Sequence, residues 1–201
     1  AAEVIDTYSD VAHHAVEVEG GGTRFGSGEA MIERIDLLSA SGESTSLVYP
    51  GDPVRLRLHY RAKERIESPV FGASIDTREG VFVWGLHGMD ACYVPTSIEP
   101  GTGHLDIEIP RLTFNPGAYT ISAAIQNHDM TGVIDALQKA RRFDVLPGPG
   151  MESGGLVNLG ASFTGLTPAR PMRDVPKRGA ADYENLARMQ AQQADALENE
   201  D

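Results

Sequence analysis

Residues 54–61, Val-Arg-Leu-Arg-Leu-His-Tyr-Arg, place an apolar side chain at every second position and a basic or imidazole side chain between. Val54, Leu56, Leu58 and Tyr60 share one face; Arg55, Arg57, His59 and Arg61 share the other. A period of two fits a half-buried strand, whereas a helix needs apolar residues every three or four positions. The pattern recurs. Met31, Glu33, Ile35 and Leu37 oppose Ile32, Arg34 and Asp36, and residues 70–76, 80–88, 103–111, 117–127 and 141–147 continue the strand-like reading. Turn-forming Pro and Gly punctuate it at "YPGDP", "EPGTG" and "NPGAY". Short alternating strands at this spacing predict an all-β fold, an antiparallel β-sandwich over residues 23–164.

The flanks read differently. Val4, Ile5, Tyr8, Val11 and Ala12 recur at roughly helical spacing, and Gly20–Gly22 break the chain. Residues 1–22 are therefore expected to be a short helix and linker at the end of an upstream domain. With no initiator Met, the chain is expected to be an excised fragment. Within the sandwich, "DMTGVIDALQKA" (129–140) is rich in helix formers and predicts a helical turn inserted in a loop. "GGLVNLGASF" (154–163) predicts a last strand. From 165 a Pro-rich, mixed-charge linker leads to "YENLARMQAQQADALENED", where Tyr183, Leu186, Met189 and Leu197 form a weak stripe. Residues 165–201 are expected to be a linker and C-terminal helical tail.

Charge and motifs exclude several functions. The net charge of −12 argues against nucleic acid, because phosphate binding needs clustered Lys and Arg. One cysteine, Cys92, permits no internal disulfide and reads as a buried or bystander thiol. No apolar run reaches the ~18–20 residues of a membrane span, and the acidic start lacks a signal peptide's apolar segment. There is no P-loop, dinucleotide fingerprint, nucleophile elbow or zinc-protease motif. His13 and His14 are adjacent and point apart, so they make a poor chelate. Asp106 and Glu108 face one side of a strand, where Arg55 and Arg57 become cross-strand partners if the two strands pair. Gln126, Asn127, His128 and Asp129 read first as a polar loop, and second as hydrogen-bonding groups for a polyhydroxyl ligand. No catalytic residue, metal site or cofactor is expected.

Three stretches together resemble one family. They are "RFGSGEAMIERIDLL" (24–38), "YPGDPVRLRLHYRAKERIESPVFGASIDTREGVFVWG" (49–85) and "HLDIEIPRLTFNPGAYTISAAI" (104–125). In order and in kind they are similar to the C-terminal domain of Wzt proteins, the ATP-binding subunits of ABC transporters that export O-antigen and related polysaccharides. The resemblance implies a non-catalytic, immunoglobulin-like sandwich that recognises the exported glycan. It further implies a homodimer, often formed by exchange of the last strand, and coupling through an upstream ATPase domain to a membrane permease. It places the protein in the cytoplasm at the inner membrane.

Alternation then indicates which face would hold a glycan. In an immunoglobulin-like order, residues 54–61 and 103–110 join the first strand in one sheet, and 70–76, 81–87, 117–127 and 141–145 make the other. Phe71, Ala73, Ile75, Tyr119, Ile121, Ala123 and Ile125 are expected inside. Gly72, Ser74, Asp76, Thr120, Ser122, Ala124 and Gln126 are expected outside. Around the single tryptophan two registers are open. Either Val81, Val83 and Gly85 face in and Phe82, Trp84 and Leu86 face out, or the reverse; size favours a buried Trp84, while the family pattern favours an inward Val83. The expected glycan-binding set is Ser74, Asp76, Trp84, His87, Ser122, Gln126, Asn127 and His128. The rival reading is an immunoglobulin-like protein-interaction or dimerisation module without a glycan ligand.

Overall fold

The computed structural model describes residues 16–18, 22–148 and 154–160. Among the described residues the regular structure is all strand: β1 (Val16–Val18), β2 (Gly22–Phe25), β3 (Ala30–Leu38), β4 (Leu47–Val48), β5 (Val54–Ala62), β6 (Ile66–Glu67), β7 (Val70–Thr77), β8 (Phe82–His87), β9 (Ser97–Ile98), β10 (Gly101–Ile109), β11 (Gly117–Gln126) and β12 (Val133–Val145). One sheet runs β1-β2-β12-β11-β7-β8, with β4 lying parallel to β12; the facing sheet runs β10-β5-β3. This is the expected partition of strands between two sheets.

The period-two pattern fixes the register. Phe71, Ile75, Ile121 and Ile125 from the large sheet meet Ile32, Leu37, Leu56 and Leu58 from the small one, all buried. Each such side chain contributes roughly 1.5–3 kcal/mol. On the opposite face of the small sheet β5 and β10 pair with Arg57 across from Asp106 and Arg55 across from Glu108. Arg57 grips Asp106 with two hydrogen bonds of 2.7 and 2.8 Å, and Arg55 Nε lies 2.6 Å from Glu108. The Arg57 guanidinium holds the Asp106 carboxyl below the usual aspartate range. These groups neutralise one another, so the conditional pairing expected from sequence is present and the face is structural.

Two features tie the sandwich together. Tyr119 Oη donates to the Asn115 carbonyl at 2.7 Å, the tyrosine corner of immunoglobulin-like sandwiches. Asp135 on β12 reaches across to the other sheet, where Ile32 N–H donates to its carboxylate at 2.7 Å, and Arg24 Nε from neighbouring β2 lies 3.4 Å away. Asp135 is only 2% exposed, and burial raises its carboxyl above the ordinary value despite both partners.

Three expectations are corrected. Residues 129–140 form no helical turn: Asn127 to Gly132 make the β11–β12 turn, and Val133–Val145 is the longest strand of the fold. The alanines, Leu137 and Gln138 favour a helix locally, but β12 is buried over residues 134–137 and hydrogen-bonded to β11 along its length. Tertiary pairing outweighs a propensity worth a few tenths of a kcal/mol per residue. The expected linker glycine Gly22 opens β2, and Val16–Val18, assigned above to a helix, pair with it as β1. Residues 154–160 contribute an isolated bridge, Phe114 to Val157, instead of a full strand. Residues 1–15, with the rest of the expected N-terminal helix, and the expected tail at 165–201 lie outside the described residues.

Candidate functional site

The outward face of the large sheet is built from small side chains. Across five strands one row runs Phe25–Ala136–Ala124–Gly72–His87, each residue paired with the next. Beside it runs Ser122–Ser74–Gly85, and then Thr120–Asp76–Phe82. A row whose centre carries at most a methyl group, flanked by Phe25 at one end and His87 at the other, leaves a trough. It spans about 19 Å at the usual strand spacing. The resulting groove has a volume of about 440 Å³, inside the ~300–1,000 Å³ range of small-molecule sites.

Polar groups line it at intervals. His87 Nε2 lies 2.9 Å from Gln126 Oε1. The amide oxygen accepts only, so Nε2 is the donor of this pair. Ser122 sits opposite a bulge in β12 centred on Lys139, whose φ is +51°, and Ser122 Oγ accepts the Lys139 N–H at 3.0 Å. Ser74, Gln138 and Asp90 complete the polar lining. The apolar component is dominated by Phe82, 65% exposed. A methyl on Gly85 would lie 2.9 Å from its ring, so the ring rests over the glycine as an aromatic cover.

Four residues of the sequence-derived set therefore meet in the groove: Ser74, His87, Ser122 and Gln126. Asp76 faces the same way one row further along, opposite Phe82 and Thr120. Asn127 and His128 fall in the turn after β11. Asn127 is engaged there, receiving the Gly132 N–H on Oδ1 at 2.9 Å, and His128 is exposed beyond the groove lining. Trp84 is elsewhere: it pairs with buried Ile75 and packs half-buried against the core. Neither proposed register is correct throughout. A bulge at Val83 lets Phe82 face out while Trp84 and Leu86 align with inward Ile75 and Ala73. The sequence reading missed Phe25, Asp90 and Gln138, and left Phe82, outward in one of its two registers, out of the binding set. Only Phe82 left a local signal, an aromatic residue three positions before a strand glycine.

Among the described residues no cluster of three or more His, Cys, Asp or Glu side chains is arranged to hold a metal, and there is no helix long and apolar enough to cross a membrane. The outer face of the large sheet thus presents a trough, scattered hydrogen-bonding groups and an exposed ring. The Wzt C-terminal domain family matches residues 22–159, and the chain belongs to that family. A crystal structure of the C-terminal domain of Wzt shares the fold with a TM-score of 0.66 and 20% identity, over 78% of this chain and 96% of that one. Slighter likenesses are a Niemann-Pick type C2 protein from the Japanese carpenter ant (TM-score 0.44, 8% identity, 65% of this chain and 98% of that one) and a Bacteroides uniformis β-glucuronidase (TM-score 0.38, 12% identity, 54% and 14%). Comparison with the curated proteins returned no match. The family domain is non-catalytic, and membership supports a role in an O-antigen export transporter.

Proposed function

We propose that this domain binds the polysaccharide its transporter exports, in the groove on the outer face of the large sheet, and selects the polymer without altering it. The observation that carries this reading is Phe82, held exposed over Gly85 beside Ser74, Ser122 and the His87–Gln126 pair. Pyranose rings present apolar C–H faces that rest on an aromatic ring, while their hydroxyls exchange hydrogen bonds with flanking polar side chains. Asp76 extends the same surface, and Asn127 and His128 adjoin its Gln126 end. Trp84 backs the strand that carries Phe82. In this proposal the domain works on the cytoplasmic side of the inner membrane, tied through an ATP-binding domain to the transmembrane permease.

Isothermal titration calorimetry with surface polysaccharide purified from the source cells tests the reading. Binding is expected, with Phe82→Ala lowering affinity about tenfold while the melting temperature holds, because an exposed ring contributes little to folding. No heat of binding with that polysaccharide would overturn it.

A homodimer is the second element of the proposal. Among the described residues β10 pairs only with β5, and Leu156, Val157 and Leu159 are 39, 41 and 81% exposed. An unpaired edge and an exposed apolar run are the usual seat of a partner chain. Sedimentation equilibrium is expected to return twice the chain mass; a monomer at micromolar concentration would remove this element alone.

A further inference from the structure

The groove's charge bears on which glycans fit it. Among the described residues that line it, the sole carboxylate is Asp90, and the remaining side chains are apolar, hydroxyl, amide or imidazole. Lys139, whose backbone N–H rests on Ser122, does not border the groove. We infer that the groove admits an uncharged stretch of glycan, rings laid by their C–H faces on Phe82 and Phe25, and that Asp90 discriminates against sugars bearing carboxylate or phosphate. This rests on the glycan-binding reading above and narrows its substrate class.

The physical reasons converge. Gly72, Ala124 and Ala136 form a floor with no polar side-chain atom, so a ring seated there exchanges water for C–H contact. An anionic substituent in that position would lose hydration without finding a cation among the lining side chains. Asp90, beyond His87 at the end of β8, adds like-charge repulsion. Neutral hydroxyls suffer neither cost, because Ser74, Ser122 and Gln126 present donors and acceptors at the margins. The matched surface is therefore a neutral hexopyranose or deoxyhexopyranose stretch.

The test uses one polymer in two charge states. Surface polysaccharide from the source cells is divided by anion exchange into uncharged and anionic pools, and part of the uncharged pool is lightly carboxymethylated. The chain is titrated with each. The uncharged pool is expected to bind about tenfold more tightly than its carboxymethylated form, the size of one like-charge contact at a few Å. Asp90→Asn is expected to shrink that preference to about threefold or less, and raising salt is expected to shrink it in the unaltered chain. Equal binding of the carboxymethylated or native anionic pool would overturn the inference and leave glycan binding standing, as would a preference indifferent to Asp90→Asn. Binding by none of the pools would overturn the glycan reading and this inference with it.

Discussion

Phe82 and Trp84 sit two residues apart and do opposite work. The exposed ring over Gly85 belongs to the groove, and the half-buried indole belongs to the core. Trp84→Ala is therefore expected to lower stability by about 2–4 kcal/mol, somewhat less than a fully buried tryptophan, as read from urea unfolding. Gly85→Ala is expected to leave urea unfolding within about 1 kcal/mol of the parent, since Gly85 is exposed, and to weaken glycan binding because the added methyl displaces the Phe82 ring. Equal glycan affinity for Gly85→Ala and the parent would remove Phe82 from the groove's recognition surface. A glycine of the other kind is Gly26. Its φ is +141° and a Cβ would lie 2.5 Å from the Ile134 carbonyl, so Gly26→Ala is expected to cost about 1–3 kcal/mol. At this scale the sequence gives hydroxyls and amides on the outward face correctly, because strict alternation in 70–76 and 117–126 fixes their side. It leaves Trp84 open between two registers, because one extra residue in a strand reverses every side chain beyond it and leaves no compositional trace.

Among the elements, β5 and β11 are legible because each buries one face, which writes a period of two into the sequence. β12 is not, since buried residues, bulges and a buried carboxylate interrupt that period. Asp135 gives this strand a pH signature. Its folded carboxyl is raised by burial above the ordinary value of 3.8, so the folded state holds that proton more tightly than the unfolded chain. Its contribution is present below the ordinary value and is lost as pH rises through the raised one. Asp106 behaves oppositely: its carboxyl is lowered by the Arg57 hydrogen bonds, so its contribution is present above the ordinary value and is lost as pH falls through the lowered one. Urea midpoints of Asp135→Asn and Asp106→Asn against pH are expected to diverge from the parent with opposite slopes across the acid range. Parallel curves for the two variants would contradict this assignment.

Over the whole molecule, the two outward sheet faces are used differently. The small sheet's charges are spent on one another, Arg57 with Asp106 and Arg34 with Asp36, at 2.7 to 3.0 Å. The large sheet's face carries the trough. What unites them is long-range: β2, from the start of the described chain, supplies Phe25 to a row completed by β12 and β8. No local pattern announces such a row, which is why Phe25 and Asp90 escape a sequence reading that correctly divides the strands between sheets. The terminal segment is joined in the same long-range way, with Asn115 Nδ2 donating to the Gly154 and Gly155 carbonyls at 2.7 and 3.0 Å. Asn115→Ala is expected to cost about 1–3 kcal/mol and to hasten proteolysis near Leu156; unchanged cleavage there would show the clip to be dispensable. The floor of the trough has a different consequence. Ala124 and Gly72 project away from the core, so descendants of this chain can exchange them for other small residues and reshape the trough while the interior stays as it is. The contour of this face can thus change at little cost to folding, because the residues that set it lie outside the packed interior.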